Sequence, residues 1–282
     1  MTYQQLWHLL IKRYDEGEAK AIARTVFEVR FGLTLVDLCL GKDTQLSADD
    51  QAQIEEISKR LLTGEPVQYV LGQADFCGRT FMVNEHVLIP RPETEELVQW
   101  MPLPLHAPKG EGANILDIGT GSGCIAIALA AMYPEAKVTA WDISEKALEV
   151  ARANAVRNKV NVLFQQIDIL SKSSLPLMES GFDLIVSNPP YICNKEREAM
   201  ETNVLEHEPH QALFVPDDDP LLFYRAIARY GQTALKADGW LFFEMNPLYA
   251  EQFAEMLGTM RYSCIEIKND QYGKQRMIRA RR

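Results

Sequence analysis

The sequence lacks the features that mark secreted, membrane-spanning and disulfide-stapled proteins. Its five cysteines are odd in number and none forms a Cys-x-x-Cys pair, which argues against a disulfide framework. The longest strongly apolar stretch, Cys124 to Tyr133, is too short to cross a bilayer. The first residues carry no basic segment ahead of an apolar one, so we expect no secretory signal and a cytoplasmic protein with reduced thiols.

Positive charge is also scarce. The chain has 29 Lys and Arg residues against 39 Asp and Glu, a formal net charge of −10. This balance argues against affinity through phosphate neutralisation, so we expect no direct nucleic-acid requirement and no membrane partner. His207 and His210 could suggest a metal site, but Pro209 interrupts the helix that would align them and no third ligand is apparent. We therefore expect no metal.

Hydrophobic residues make up 47% of the 282 residues, enough for one large domain or two ordinary ones. Apolar residues recur at helical spacing near the N-terminus, with Ser47 as a candidate helix cap, which predicts a helical substrate-recognition domain over residues 1–66. The stretch Val67 to Ile89 is rich in β-formers and predicts a β-hairpin connector over residues 67–92. Residues 93–282 would form the second, catalytic domain.

Strands and helices then alternate, which is typical of parallel strands joined by right-handed helical crossovers. Strands are predicted at 115–118, 137–141, 160–167, 182–187 and 240–244, with a closing antiparallel pair at 264–267 and 276–280. Helices are predicted at 94–100, 122–133, 144–158 and 220–235, the last with Asp219 as N-cap, and a loop at 102–112. The predicted class is α/β, with a mostly parallel seven-stranded sheet covered by helices on both faces.

A glycine-rich loop, Asp117-Ile118-Gly119-Thr120-Gly121-Ser122-Gly123, follows the first of these strands. Glycine allows a backbone to turn sharply and approach a ligand, and the following helix offers unpaired N–H groups. The spacing G-x-G-x-G differs from the G-x-G-x-x-G dinucleotide pattern, and no lysine follows as in a phosphate-binding Walker loop. The loop therefore indicates a nucleotide-like ligand that is not held mainly by its phosphates.

An acidic residue stands at or near the carboxyl end of each of the first three predicted strands. Asp117 suits a ligand with a cationic part, and Asp142 could accept hydrogen bonds from two ribose hydroxyls. Asp168 could meet an adenine amino group, with Ile169 against the ring, although aspartates at strand ends often only cap turns. The candidate cofactor-binding residues are Asp117, Gly119, Thr120, Gly121, Ser122, Gly123, Asp142, Asp168, Ile169 and Asn188.

The fourth strand leads into Asn188-Pro189-Pro190-Tyr191, and ligands in parallel sheets bind at such strand ends. A planar amide or amino nitrogen of a substrate is a weak nucleophile, because its lone pair is delocalised. Two hydrogen-bond acceptors can hold its two N–H groups and point the nitrogen at the group to be transferred. The side-chain carbonyl of Asn188 and the backbone carbonyl of Pro189 are suitable acceptors, because the prolines hold the backbone rigid. Tyr191 offers a flat face for stacking. Asn188 and Pro189 are therefore the candidate catalytic residues, and all four residues are candidates for binding substrate.

The glycine loop, Asp142 and Asn188-Pro189-Pro190-Tyr191 resemble the motifs of Rossmann-like class I methyltransferases that act on nitrogen. Over almost its whole length the chain resembles the bacterial release factor glutamine methyltransferases, the PrmC or HemK family. The helical N-terminal domain matches this family. The closer resemblance is also carried by Tyr69 to Gly72 with Phe76 and Phe81, by Ile89 to Glu95 and by Glu206 to Leu213. Unlike many members, this chain has Met245-Asn246-Pro247 after Glu244 and an aliphatic residue at Ile169.

The resemblance implies the chemistry and the partner. The cofactor would be S-adenosyl-L-methionine, with S-adenosyl-L-homocysteine as product. The substrate would be the side-chain amide of the glutamine in the Gly-Gly-Gln motif of class-one peptide release factors, in translation termination. Asn188 and Pro189 would hold that amide, Pro190 and Tyr191 would shape the slot, and the helical domain would help to grip the factor. No general base is assigned, and Arg91 and Glu93 receive no role.

Three other interpretations remain open. An N6-adenine methyltransferase for DNA or RNA faces the same nitrogen chemistry, but it needs base flipping and usually a basic groove. A related enzyme could methylate a glutamine of a ribosomal protein. A non-catalytic protein could bind S-adenosylmethionine or a release factor without turnover, although the intact Asn188-Pro189-Pro190-Tyr191 segment argues against this.

Overall fold

The computed structural model describes residues 1–101, 112–171, 175–176 and 181–282. The loop predicted at 102–112 lies, apart from its last residue, outside the described residues. The chain forms two compact units, one of Met1–Gln73 with Glu201–His207, the other of Ala74–Met200 with Glu208–Arg282. This division does not test whether residues 67–92 form a separate connector between 1–66 and 93–282, so those three segments remain a prediction.

The first unit is helical, as the sequence predicts for its N-terminal part. Its helices are α1 (Tyr3–Leu10), α2 (Glu16–Phe31), α3 (Leu35–Cys39), a 3-10 turn (Lys42–Gln45), α4 (Ala48–Leu62) and α5 (Val67–Leu71). A cluster of buried side chains, among them Leu6, Val26, Phe27 and Ile54, forms its core. The predicted cap is confirmed, because the Ser47 hydroxyl accepts a hydrogen bond from the N–H of Asp50 and completes a capping box.

The prediction of β-structure from Val67 was wrong for its first residues. Helix α5 occupies them and ends at Gly72, whose backbone lies in the left-handed region (φ +72°) and donates to the Gln68 and Tyr69 carbonyls. Apolar residues such as Tyr69 and Val70 are buried in this short helix, so burial prevails over their β propensity. The predicted hairpin is present but shorter, with β1 (Gln73–Phe76) paired to β2 (Arg79–Met82).

The second unit is built around one seven-stranded sheet. Its strands are β3 (Asn114–Ile118), β4 (Lys137–Asp142), β5 (Leu163–Gln166), β6 (Phe182–Ser187), β9 (Leu235–Glu244), β10 (Ser263–Asn269) and β11 (Gln275–Arg281). Their spatial order is β10-β11-β9-β6-β3-β4-β5. Only the pairings of β11 with its two neighbours are antiparallel. The predicted α/β class is confirmed, including the closing antiparallel pair.

Helices cover both faces of this sheet. They are α6 (Pro92–Trp100), α7 (Cys124–Met132), α8 (Glu145–Asn158), α10 (Leu222–Ala234) and α11 (Ala250–Thr259). Two separate apolar cores result, one packed on α10 and α11 and the other on α6 and α7. The chain between β6 and α10 holds β7 (Ile192–Cys193), β8 (Phe214–Val215) and short helical turns at Asn194–Ala199, Thr202–His207 (α9) and His210–Ala212.

The predicted start of the helix at 220–235 was wrong. Helix α10 begins at Leu222 without a side-chain cap, because both oxygens of Asp219 accept hydrogen bonds from the Arg225 guanidinium instead, at 2.7 and 3.0 Å. The strand predicted at 160–167 is shorter, and the strand predicted at 240–244 starts already at Leu235. Among the described residues, no helix is long and apolar enough to cross a membrane.

Candidate functional site

A cavity of about 450 Å³ opens at the carboxyl ends of β3, β4 and β6, within the second unit. Parallel sheets bind ligands at these strand ends, and the volume is in the range of small-molecule sites. Most of the predicted site residues line it: Gly119, Thr120, Gly121, Ser122, Asp142, Asp168, Ile169, Asn188, Pro189 and Pro190. Asp117, Gly123 and Tyr191 do not.

The glycine loop lies against the end of β4. The N–H of Gly119 donates to the Trp141 carbonyl at 2.8 Å, and the N–H of Gly121 donates to Asp142 Oδ2 at 2.9 Å. Gly119 has φ +75°, a region that residues with a Cβ rarely adopt, and a Cβ there would stand 4.0 Å from the Asn188 carbonyl oxygen. The loop therefore runs directly beside the Asn-Pro-Pro segment.

Asp142 brings its carboxylate to the cavity wall. Its Oδ1 accepts from the N–H of Ser144 at 2.9 Å, so each oxygen holds one backbone donor. Burial raises the pKa of Asp142, while the N–H groups of Ser144 and Gly121 counteract the rise. A carboxylate oxygen can accept more than one hydrogen bond, so both oxygens can still bind a ligand hydroxyl.

Asp168 and Ile169 line the same cavity beyond the end of β5. Asp168 Oδ1 accepts from the N–H of Leu170 at 2.9 Å, which is the turn-capping role that strand-end aspartates often have. The side chain of Ile169 is almost fully buried and belongs to the core that contains Trp141. The pair combines a hydrogen-bond acceptor with an apolar surface, which suits a planar heterocycle.

Asp117 and Gly123 lie behind the loop. Asp117 is fully buried, and its Oδ2 accepts from the Thr120 hydroxyl at 2.6 Å and from the N–H of Ala126 at 3.2 Å. Burial raises its pKa to about 7. A Cβ on Gly123 would lie 3.1 Å from that of Ala151, so glycine lets α7 start close to α8. Both residues shape the loop, and their direct contact with a cofactor stays a prediction.

Strand β6 delivers the Asn-Pro-Pro-Tyr segment to the cavity. Ser187 pairs with Ile118 in the parallel ladder, and its hydroxyl donates to the Ile118 carbonyl at 2.6 Å, which fastens the two strand ends together. Pro189 is buried, whereas Asn188 is partly exposed to the cavity. The hydroxyl of Tyr191 donates to Glu244 Oε1 at 2.9 Å. Burial, together with the Glu244 carboxylate, raises the pKa of Tyr191 well above its ordinary value.

Two buried residues beside Asn188 were not predicted from the sequence. Thr94 and Glu244 are each only 2% exposed, and the Thr94 hydroxyl donates to Glu244 Oε2 at 2.5 Å. The Asn188 side-chain nitrogen donates to Thr94 Oγ1 at 3.1 Å. The signal available in the sequence was an acidic residue ending the apolar run Leu241-Phe242-Phe243 at the carboxyl end of a predicted strand.

An ion pair with a buried carboxylate joins two of the stretches that carry the family resemblance. Glu208, 4% exposed, accepts from the Arg91 guanidinium at 2.5 Å and from the N–H of Ile89 at 3.2 Å. Arg91 also lines the cavity. The sequence left Arg91 without a role, and the structure makes it a rim residue whose guanidinium is anchored by Glu208. The pairing spans 117 positions, so spacing along the chain could not reveal it.

Family models match both parts of the chain. The model described as "Methyltransferase small domain" matches residues 94–213, and that described as "PrmC N-terminal domain" matches residues 4–72. Among solved structures, a methyltransferase from Pyrococcus furiosus is similar with a TM-score of 0.52 and 18% identity, covering 83% of this chain and 98% of that one. Fold and site together define a Rossmann-like class I methyltransferase.

Curated relatives identify the family within that class. The release factor glutamine methyltransferase of Bacteroides thetaiotaomicron is 44% identical, with 95% of each chain covered. That of Flavobacterium psychrophilum is 43% identical, with 98% of this chain and 96% of the relative covered. The chain belongs to the release factor glutamine methyltransferase family.

Proposed function

We propose that this chain transfers the methyl group of S-adenosylmethionine to the side-chain amide nitrogen of the glutamine in the Gly-Gly-Gln motif of class-one peptide release factors. One observation carries the proposal. The glycine loop with Asp142 and the acceptors of Asn188 and Pro189 line one cavity, in a chain of the release factor glutamine methyltransferase family. A cofactor site and a nitrogen-holding site are thus contiguous.

The residues around the cavity fit S-adenosylmethionine. Each Asp142 oxygen accepts one backbone N–H, from Gly121 or from Ser144, and can accept a second hydrogen bond from a ribose hydroxyl. Asp168 offers an acceptor for the adenine amino group, and Ile169 offers an apolar surface to the ring. When bound, S-adenosylmethionine supplies a methyl group activated by a sulfonium. We expect S-adenosylhomocysteine as the product and no metal requirement.

The chain itself positions the acceptor nitrogen. The Asn188 Oδ1 and the Pro189 carbonyl oxygen would accept hydrogen bonds from the two N–H groups of the glutamine amide. These two bonds would fix the position and orientation of the amide nitrogen. Pro189 and Pro190 have fixed φ angles, so the carbonyl between them needs little reorganisation. Such positioning can contribute on the order of 7–11 kcal/mol to lowering a barrier. Pro190 lines the cavity, and the hydroxyl of Tyr191 is held by Glu244.

The nucleic-acid alternative receives less support. An N6-adenine methyltransferase presents the same type of acceptor site, but the chain carries a formal net charge of −10, whereas nucleic-acid affinity depends largely on phosphate neutralisation. The family relation also favours a protein substrate. A glutamine of a ribosomal protein would fit the same acceptors. Only a direct comparison of the two proteins as substrates distinguishes a release factor from a ribosomal protein.

Transfer of a labelled methyl group tests the proposal. The chain and labelled S-adenosylmethionine are incubated with a class-one release factor, the same factor with its Gly-Gly-Gln glutamine changed to alanine, ribosomal proteins, and DNA or RNA. We expect label only in the unaltered factor. Label in ribosomal protein or in adenine, with none in the factor, would contradict the proposal and support the corresponding alternative.

A further inference from the structure

The amide of Asn188 can face the acceptor site in two ways. With Oδ1 turned to the site it accepts a hydrogen bond, and with Nδ2 turned to the site it offers only donors. A glutamine amide nitrogen carries N–H groups, so only the first orientation holds it. The two ends of an amide are distinguished by their hydrogen-bond partners, and the partner here is Thr94, which itself lines the cavity.

The partners of Asn188 form a short chain of hydrogen bonds. Asn188 Nδ2 lies 3.1 Å from Thr94 Oγ1, and Thr94 Oγ1 lies 2.5 Å from Glu244 Oε2. The second carboxylate oxygen, Glu244 Oε1, accepts from the Tyr191 hydroxyl at 2.9 Å. In the part of the chain that the structure describes, no group donates to Asn188 Oδ1. One carboxylate thus connects the first and last residues of the Asn-Pro-Pro-Tyr segment.

The proton count fixes the direction of these bonds. A hydroxyl has one proton, and an ionised carboxylate has none to give. With Glu244 ionised, Thr94 donates its proton to Glu244 and can only accept from Asn188. Burial raises the pKa of Glu244, while the hydrogen bonds from Thr94 and Tyr191 counteract the rise. An acceptor at this position selects the NH₂ end of the amide and leaves the oxygen for the cavity.

We infer that Glu244, acting through the hydroxyl of Thr94, holds the Asn188 amide with Oδ1 turned toward the substrate nitrogen. Thr94 and Glu244 are positioning residues, because their effect on the substrate nitrogen passes through Asn188. This inference rests on the proposed function for the identity of the nitrogen, but the orientation of Asn188 is a property of the free chain.

Three variants separate this role from simple packing. Thr94→Val keeps the shape and removes the hydroxyl, Thr94→Ser keeps the hydroxyl, and Thr139→Val removes a hydroxyl from strand β4 away from Asn188. We expect Thr94→Val to lower kcat on the release factor about tenfold, since losing one oriented hydrogen bond is worth about 1.4 kcal/mol. The kcat of Thr94→Ser should stay within about threefold of the wild-type value, and the kcat of Thr139→Val should equal the wild-type value. Affinity for S-adenosylmethionine, measured by calorimetry, should be unchanged in all three.

Two kinetic results would overturn the inference. Wild-type kcat in Thr94→Val would mean that the hydroxyl does not position Asn188. An equal loss in Thr94→Ser and Thr94→Val would assign the effect to packing of the side chain. Activity of the wild-type chain on the factor is measured in the same series, so failure of the proposed function shows as an inactive wild type and is distinct from either result.

A second measurement needs no substrate. In protein labelled with ¹⁵N at asparagine, the Asn188 NH₂ resonances are assigned by their loss in Asn188→Asp. We expect them to shift and exchange faster with solvent in Thr94→Val, and to remain unchanged in Thr139→Val. Identical Asn188 resonances in wild type and Thr94→Val would contradict the inference, whichever substrate the enzyme uses.

Discussion

In the proposed function, different side chains of the cavity hold the cofactor and the substrate nitrogen. Asp142 ends β4 and faces the cavity with both oxygens partly engaged by backbone donors. Asn188 and Pro189 follow β6 and line the cavity, and Asn188 uses its side-chain nitrogen, not its oxygen, in the bond to Thr94. The two functions should therefore separate in variants, one affecting affinity and the other turnover.

Asn188→Ala should lower kcat on the release factor by about 100-fold or more, the size expected when one preorganised hydrogen-bonding group is removed from an active site. The affinity for S-adenosylmethionine should change little, because the main partner of Asn188 is the reacting nitrogen. Steady-state kinetics and calorimetry give the two values, with the exposed Asn161→Ala as a matched control. A loss confined to cofactor affinity would show that the role given to Asn188 is wrong.

Asp142→Ala should weaken S-adenosylmethionine binding by about 10–100-fold, since hydrogen bonds to a charged group contribute roughly 1.5–3 kcal/mol. The melting temperature should fall only modestly, because Gly121 and Ser144 each lose one acceptor. Asp218→Ala, an exposed substitution, serves as the control. Calorimetry with unchanged affinity would remove Asp142 from the cofactor site.

The pH dependence of cofactor binding supplies a further check on Asp142. The ionised carboxylate accepts hydrogen bonds better than the protonated one, and burial raises its pKa. Affinity for S-adenosylmethionine should therefore decrease as the pH falls, beginning above the ordinary aspartate range. The same titration by calorimetry on Asp142→Ala should lack this component, and equal pH slopes in both proteins would argue against it.

At the scale of elements, the glycine loop is supported from both sides. Asn154 on α8 accepts from the N–H of Met82 in the hairpin and donates to the Ser122 carbonyl in the loop, at 2.6 and 2.9 Å. Asp117 supports the loop from the core through the Thr120 hydroxyl. These contacts fix the conformation of the loop, and a loop that is ordered in advance lowers the ordering cost of binding a ligand.

Asp117 should make stability depend on pH. Its pKa of about 7 means that the folded chain keeps a proton that the unfolded chain loses near pH 4. A raised carboxyl pKa gives stability that is complete at low pH and is lost as the pH rises toward about 7, by up to a few kcal/mol. In Asp117→Asn this component is absent. Denaturant unfolding between pH 5 and 8 should show wild type losing stability relative to the variant, and a constant difference would contradict the assignment.

The sequence predicted which helices and strands are present better than it predicted the residues at which they begin and end. Strand β6 was predicted with its observed bounds because an apolar run stops at Asn188. The helix at Val67–Leu71 was missed because β-forming residues are equally well buried in one short helical turn ended by Gly72. Asp219 was misassigned as a helix cap because the sequence does not show that its carboxylate accepts hydrogen bonds from the Arg225 guanidinium.

The same limit applies to the site. The cavity-lining residues in the glycine loop, at Asp142, at Asp168 and in the Asn-Pro-Pro segment were predicted because strand ends and turn chemistry are local features. Thr94 and Glu244 were not, because their bond joins positions 150 apart and depends on how α6 packs against β9. A buried carboxylate is costly without partners, so its presence at a strand end is a signal worth testing in other sequences.

At the scale of the whole molecule, the predicted role of the helical unit in substrate recognition can be tested at an exposed apolar surface. Val36 and Leu40 on and after α3 are 67% and 71% exposed. If the helical unit helps to grip the release factor, Val36→Ser with Leu40→Ser should raise KM for the factor severalfold and leave kcat and cofactor affinity unchanged. Val156→Ser, at an equally exposed residue of α8 in the other unit, is the matched control. An unchanged KM in the double variant would exclude this surface from recognition.

The central claim is that Asn188 and its neighbours direct a methyl group to one glutamine nitrogen. Tandem mass spectrometry of a release factor, after incubation with S-adenosylmethionine and either wild-type chain or Asn188→Ala, tests it most directly. We predict one added methyl group, on the side-chain amide of the Gly-Gly-Gln glutamine, formed by wild type and strongly reduced with the variant. A methyl group on another residue, or equal methylation by both proteins, would contradict the account.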